Sequence, residues 1–303
     1  MTSLTVRVPG KVNLALQVGP CQADGYHDLA TVFMALSIED TVTATGPLDT
    51  PGDITATVSG PGAQWVGSGL DNLAVRAASL LRDRFGSPEL SASLAIEKRI
   101  PVAGGMAGGS ADAAGALLAC ARLWQLDVTS ADLTDLAAEL GADVPFALLG
   151  GCALGLGRGD RLTPVLARGR FHWVLAFHRR GLSTSAVFRR FDEYRPNPAP
   201  AVVPSALLTA LAAGDVRALG AALSNDLTVA SVSLAPALRR TIEAGREAGA
   251  LGSVISGSGP TVALLAASEE AANTLAVRLS SEGVAHRLVR AWGPVPGAHV
   301  VTD

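Results

Sequence analysis

Residues 101–114 read PVAGGMAGGSADAA, a glycine-dense stretch running from a strand-like segment into an alanine-rich helical one. Gly104, Gly105, Gly108 and Gly109 let the backbone take positive φ and leave no Cβ to obstruct a close ligand. Ser110 and Asp112 stand where the helix is expected to begin, so unpaired N–H groups and the positive dipole end face the loop. Such a junction is a phosphate cradle. A tight turn needing only flexibility would use one or two glycines, not four.

The loop lacks the marks of the common nucleotide motifs. Ser110 and Ala111 follow Gly109 where a Walker A loop needs Lys and Ser or Thr. The G-x-G-x-x-G spacing of dinucleotide-binding folds is missing, as is the G-x-S-x-G elbow of serine hydrolases. Positive charge for a bound phosphate must therefore come from elsewhere in the chain.

Working outward, the first half alternates strand and helix signals. Leu4, Val6 and Val8 alternate, as do Val12, Leu14 and Leu16, giving two half-buried strands divided by a Pro9-Gly10 turn. Period two puts Lys11 and Asn13 on one face. Strands are expected at Thr31–Leu36, Ile54–Val58 and Leu94–Ile100, and helices at Asn72–Phe85, Ala111–Trp124 and Ala131–Leu140, the last with Ser130 as N-cap and Gly141 as stop. The second half opens on a strand at Phe171–Phe177. A Pro-rich surface loop, Arg195–Pro204, follows, then helices near Ala206–Ala213, Val216–Leu223 and Pro236–Ala248. Strands at Gly252–Ile255 and Thr261–Ala266 flank the turn SGSGP, and a helix near Glu269–Ser280 and a strand near Ala285–Val289 complete a mixed α+β unit. The division into two domains is expected at 1–165 and 166–303.

Composition bounds the function. The 303 residues are 49% hydrophobic and 17% charged with a net charge of -3, a globular chain with no electrostatic case for nucleic acid or an anionic membrane. Cys21, Cys120 and Cys152 form neither a CxxC pair nor an even disulfide set, and no signal peptide or membrane span is read, so a cytoplasmic location is expected. Of the 24 basic residues only Lys11 and Lys98 are lysines. Where surface cations have drifted to arginine, a retained lysine marks a place that needs a compact ammonium.

Lys11 reads either as the missing cation or as an exposed strand lysine. Asp143, in LGADVPF, reads either as a plain turn residue or as a carboxylate held between Leu140 and Pro145-Phe146; Pro145 is expected to stop the preceding helix. Gly25-Tyr26-His27 offers an aromatic and an imidazole to a base, or a tyrosine on the core edge beside a surface histidine.

Five segments in this order, PGKVNLAL at 9–16, GYHDLATVF at 25–33, IEKRIPVAGGMAGGSADAA at 96–114, LGADVPF at 140–146 and SGSGPTVAL at 256–264, resemble the GHMP small-molecule kinases. GKVNL, GYH and LGADVPF together are similar to the branch acting on diphosphocytidyl-methylerythritol, in non-mevalonate isoprenoid synthesis. The resemblance implies an α+β fold: an N-terminal α/β domain with a left-handed crossover, like a ribosomal-protein domain, and a ferredoxin-like C-terminal domain. It implies ATP as co-substrate with Mg²⁺, and a small-molecule acceptor carrying cytidine diphosphate, on a monomer or weak homodimer. By the same resemblance Pro101, Val102, Ala103, Gly104, Gly105, Met106, Ala107, Gly108, Gly109, Ser110 and Ala111 wrap the phosphates, and Lys98 stands beside the adenine. Lys11 and Asp143 form the catalytic pair, while Asn13, Tyr26, His27, Thr184 and Phe188 hold the substrate, cytosine lying between Tyr26 and Phe188. Metal ligands stay unassigned, Asp112 being either one of them or a first-turn acid. Kinases of other small alcohols, homoserine or mevalonate, share the loops but have no base for GYH to meet.

Overall fold

The computed structural model describes residues 2–23 and 25–301. The chain runs β1 (Thr2–Cys21), β2 (His27–Gly46), β3 (Ile54–Ser59), α1 (Leu73–Phe85), β4 (Ala92–Glu97), α2 (Gly108–Leu123), α3 (Ser130–Leu140), α4 (Val144–Leu149), β5 (Cys152–Gly157) and β6 (Arg161–Pro164). There follow β7 (Phe171–Phe177), α5 (Thr184–Tyr194), α6 (Ser205–Ala213), α7 (Val216–Ala222), β8 (Ser224–Asn225), α8 (Thr228–Leu234), α9 (Ala237–Glu247), β9 (Gly252–Ile255), β10 (Val262–Ala266), α10 (Glu269–Glu282), β11 (Arg287–Gly293) and β12 (His299–Val300).

The two short strands expected at the start are one 20-residue strand, β1, paired antiparallel with the equally long β2. Pro9-Gly10 is a register shift within that ladder and not a turn. A bulge re-aims the side chains that follow it, and Lys11 and Asn13 come next, opposite Ala35 and Phe33. The first sheet has the order β12-β1-β2-β4-β3, with β5 also on β2 and β8 also on β1. Residues beyond 165 thus return two short strands to it. Helix α2 lies on this sheet through Ala113, Ala114, Ala116 and Ala119, all fully buried. At Gly115 a Cβ would stand 2.7 Å from Val42 and 2.9 Å from Val8, so the helix approaches β1 and β2 closely only because no side chain is there.

The second sheet, β11-β7-β10-β9, is antiparallel throughout. Numbered within the unit this is 4-1-3-2, the ferredoxin-like order. Both faces are covered, so β10 reads as an unbroken apolar run and β7 as one interrupted only by His172. Val174, Ala176 and Leu264 pack with Leu238 of α9 and Leu275 of α10, whereas Trp173, Leu175 and Leu265 join the main core.

Boundary differences have local causes. Thr129, not Ser130, caps α3, in a reciprocal capping box with Asp132. Pro145 does not end a helix but sits in the first turn of α4, where its missing N–H costs nothing. Helix α2 begins at Gly108, three residues earlier than its alanine run.

Candidate active site

The loop between β4 and α2 is shaped by its neighbours as much as by its glycines. Ala103 (φ 53°), Gly105 (φ 77°) and Ala107 (φ 60°) all have left-handed backbone. Two alanines held in that region carry the kind of strain that tertiary contacts must over-determine. Those contacts come from the turn SGSGP. Ser256 Oγ donates to the Gly105 carbonyl at 2.9 Å, and the Thr261 N–H donates to the Gly104 carbonyl at 3.3 Å. A Cβ on Gly105 would lie 2.2 Å from the Ser256 carbonyl oxygen. Gly109, by contrast, has nothing within 4 Å of a built Cβ and is exposed at the start of α2. That is where an anion reaches helix N–H groups unhindered.

Of the residues expected to wrap phosphates, Pro101, Ala103, Gly104, Gly105, Ala107, Gly108 and Gly109 line a cleft of ≈ 350 Å³. Val102 lines a second cavity of ≈ 550 Å³ that shares Pro101, Ala103 and Gly104 with the first. This neighbour carries Gln64, Trp65, Phe177 and His178, a wall suited to a planar ring. Met106 and Ala111 are buried in the core and do not line the cleft; Ser110 is half-buried in the first turn of α2.

Lys11, Asn13 and Asp143 converge on the cleft. Lys11 is 6% exposed, its Nζ donating to Asn13 Oδ1 at 2.7 Å and lying 3.8 Å from Asp143 Oδ2. Asn13 Nδ2 donates to Thr31 Oγ1 at 2.8 Å, and that hydroxyl donates to the Ala15 carbonyl at 2.7 Å. The relay fixes the Asn13 amide so that its oxygen faces the ammonium. Phe33 lies beneath, its ring centroid 5.4 Å from Nζ. Burial pulls the Lys11 pKa below the ordinary lysine value, and Asp143 opposes that shift. Asp143 stands at the N-cap of α4 without capping it, which leaves its carboxylate turned to Lys11. Thr31 and Phe33 were legible only as strand residues; period two from Lys11 and Asn13 does not extend to a partner strand.

The substrate corner departs from expectation. His27 is buried, with Nδ1 2.8 Å from the Gly19 carbonyl and Nε2 3.1 Å from Asp192 Oδ1. Both ring nitrogens face protein oxygens, so the ring is not offered to a base edge. It stacks instead on Phe188 at 5.4 Å and props that residue against the cleft. Tyr26 is 54% exposed at the hairpin tip and does not line the cleft itself. Arg158, unmarked in the sequence, does: its guanidinium lies 4.3 Å above the Tyr26 ring. Thr184 lines the cleft as expected, its hydroxyl 3.0 Å from Ser258 Oγ.

Lys98 lines neither cavity. Its side chain is 1% exposed, with Nζ enclosed by Asp40 Oδ2 (2.5 Å), Asp112 Oδ2 (2.6 Å) and the Gly108 carbonyl (3.1 Å). Asp112 is consequently neither a first-turn acid nor an open metal ligand; it lies in the second turn of α2 and faces inward. Among the described residues no group of three or more His, Cys, Asp or Glu could hold a metal. Among the described residues Asp143 is the single carboxylate lining the cleft, which fits a divalent ion carried mainly by phosphates and water.

Two family models match, GHMP kinases N terminal domain over residues 72–151 and GHMP kinases C terminal over 207–285. The chain belongs to the GHMP kinases. It is 53% identical over 304 residues, 99% of this chain and 92% of the other, to the 4-diphosphocytidyl-2-C-methyl-D-erythritol kinase of Mycolicibacterium smegmatis. A crystal structure of 4-(cytidine 5'-diphospho)-2C-methyl-D-erythritol kinase superposes with a TM-score of 0.77 at 34% identity, covering 95% of this chain and 98% of that one. The homoserine kinase of Cytophaga hutchinsonii has a TM-score of 0.76 at 19% identity over 99% and 98%, a likeness of fold alone.

Proposed function

We propose that this chain is an ATP-dependent kinase that transfers the γ-phosphoryl group to the 2-hydroxyl of 4-diphosphocytidyl-2-C-methyl-D-erythritol. The observation that carries the reading is a buried ammonium 3.8 Å from a half-exposed carboxylate, both opening on the cleft of a glycine loop. Phosphoryl transfer needs an in-line nucleophile and stabilised charge more than covalent help. Asp143 accepts the proton of the acceptor hydroxyl, and Lys11 favours both the ionised carboxylate and the developing alkoxide. Helix-end N–H groups at Gly108–Ser110 receive phosphate oxygens. Mg²⁺ on the nucleotide, when bound, neutralises β- and γ-phosphate charge.

The choice of acceptor follows from Phe188 and Arg158. A ring stacked on one face by His27 offers its other face to a pyrimidine, and among the described residues Arg158 is the only cation besides Lys11 lining the cleft. A diphosphate linkage needs that second cation; homoserine and mevalonate have neither base nor diphosphate. The free thiols of Cys21, Cys120 and Cys152 fit work in the reducing cytoplasm. ATP consumption measured in parallel with the cytidyl alcohol, homoserine and mevalonate tests the reading. Turnover is expected with the first alone, and faster turnover of either other alcohol would overturn it.

A further inference from the structure

The phosphate loop leaves β4 and enters α2 through two points only a few ångströms apart, and one buried ionic cluster touches both. At the entrance, Asp40 Oδ1 accepts the N–H groups of Arg99 (2.5 Å) and Ile100 (2.8 Å). At the exit, Lys98 Nζ donates to the Gly108 carbonyl. Lys98 and the other oxygen of Asp40 join the two ends, and Asp112 completes the cluster from within α2. All three ammonium protons have an acceptor, the full capacity of a lysine. A Cβ on Gly108 would stand 3.2 Å from both Lys98 Nζ and Ile100 Cγ2, so the exit residue is glycine because the clasp passes so close.

The cluster contributes no wall to the cleft or to its neighbour. Its residues are among the most buried charges in the molecule, Lys98 at 1%, Asp40 at 0% and Asp112 at 3%. Burying charges in this way rarely favours stability over apolar packing and is retained where it fixes a geometry. Here the geometry is the span of a loop that must present N–H groups to phosphates.

Resting on the kinase reading, we infer that Lys98 is a positioning residue: with Asp40 and Asp112 it sets the span of the phosphate loop, and it acts on the triphosphate and not on the adenine. The electrostatics agree with a cation held tightly by both acids. Burial alone would lower the Lys98 pKa, but Asp112 and Asp40 more than reverse this and raise it. Asp112 is pushed up to about 8 by burial and by the like charge of Asp40, against the pull of Lys98.

The test compares Lys98→Met with the unaltered chain by calorimetric titration of ATP and of adenosine, with KM and kcat measured for the cytidyl alcohol. The inference expects ATP to bind about tenfold more weakly, a loss on the scale of one charge-assisted contact, while adenosine affinity and the acceptor KM stay unchanged. Adenosine weakened by the same factor would make Lys98 an adenine ligand and overturn the inference. Unchanged ATP affinity with only a lower melting temperature would reduce the clasp to a stability element and overturn it equally. If Lys98→Met does not fold, the double variant Lys98→Met with Asp112→Asn removes a carboxylate together with the ammonium and carries the same comparison. Failure of the unaltered chain to bind ATP at all would sink the kinase reading itself, a result separate from any difference between variants.

Discussion

Replacing Asp143 with Asn leaves the shape of the cleft intact and removes one charge and one proton acceptor. Its carboxylate lies 3.8 Å from the Lys11 ammonium. At that distance a unit pair is worth about 4 kcal/mol at an effective dielectric of about 20 and about 1 kcal/mol in bulk water. Asp143 is 35% exposed, which draws the value toward the lower figure. Loss of a positioned proton acceptor costs a further factor of roughly 10²–10⁴ in rate. The expected outcome is therefore a kcat at least ~10²-fold lower. ATP affinity should hold, because among the described residues Asp143 pairs with Lys11 and makes no hydrogen bond or ion pair with the loop. The pH profile gives a second readout. Burial lowers the Lys11 pKa and Asp143 opposes it, so without Asp143 the ammonium loses its proton at lower pH. Residual activity should then decline earlier on the alkaline side than in the unaltered chain. Steady-state assays with the cytidyl alcohol across pH, beside ATP titration, decide the matter. A kcat within about threefold of the unaltered value would remove Asp143 from the chemistry.

Other perturbations read other parts of the site. Thr31→Val removes the acceptor of the Asn13 amide and should cost about 1–3 kcal/mol of transition-state stabilisation, seen in kcat with ATP affinity unchanged. Arg158→Gln should raise the KM for the cytidyl alcohol and leave that for ATP alone; the reverse pattern would place Arg158 on the nucleotide side. Gly105→Ala forces a side chain onto a φ of 77° and a Cβ against the Ser256 carbonyl, so melting temperature and ATP affinity should fall together, by a strain on the order of 1–3 kcal/mol. Asp112 is raised from 3.8 to about 8 in the folded chain, so its contribution to stability is present at acid pH and lost as pH rises toward 8. Denaturant titration should find that the stability of the unaltered chain drops over that interval relative to Asp112→Asn.

The sequence made the chemistry of the loop readable because four glycines before an alanine run have few other uses. The start of α2 was another matter. Local propensity disfavours Gly108 and Gly109 in a helix, and they are helical because the Lys98 clasp and the SGSGP turn fix the loop ahead of them. Both retained lysines are buried, yet for Lys98 the partners lie 58 and 14 positions away and leave no local trace. His27 illustrates the opposite limit. A histidine at a hairpin beside a tyrosine looks exposed and available, but its burial depends on Asp192 and Phe188 of α5, a helix whose pattern did not stand out. Arg158 was indistinguishable from other arginines until β2 and β5 paired and brought it over Tyr26.

Strand β12 pairs with β1 at Val6 and Arg7, only a few residues before Lys11 on the same strand. That edge of β1 is therefore closed by a strand far downstream in the chain. During synthesis that edge stays unpaired while the intervening residues emerge, a template for stray pairing until His299 and Val300 arrive. Lys11 is thus made well before the sheet that carries it can be completed.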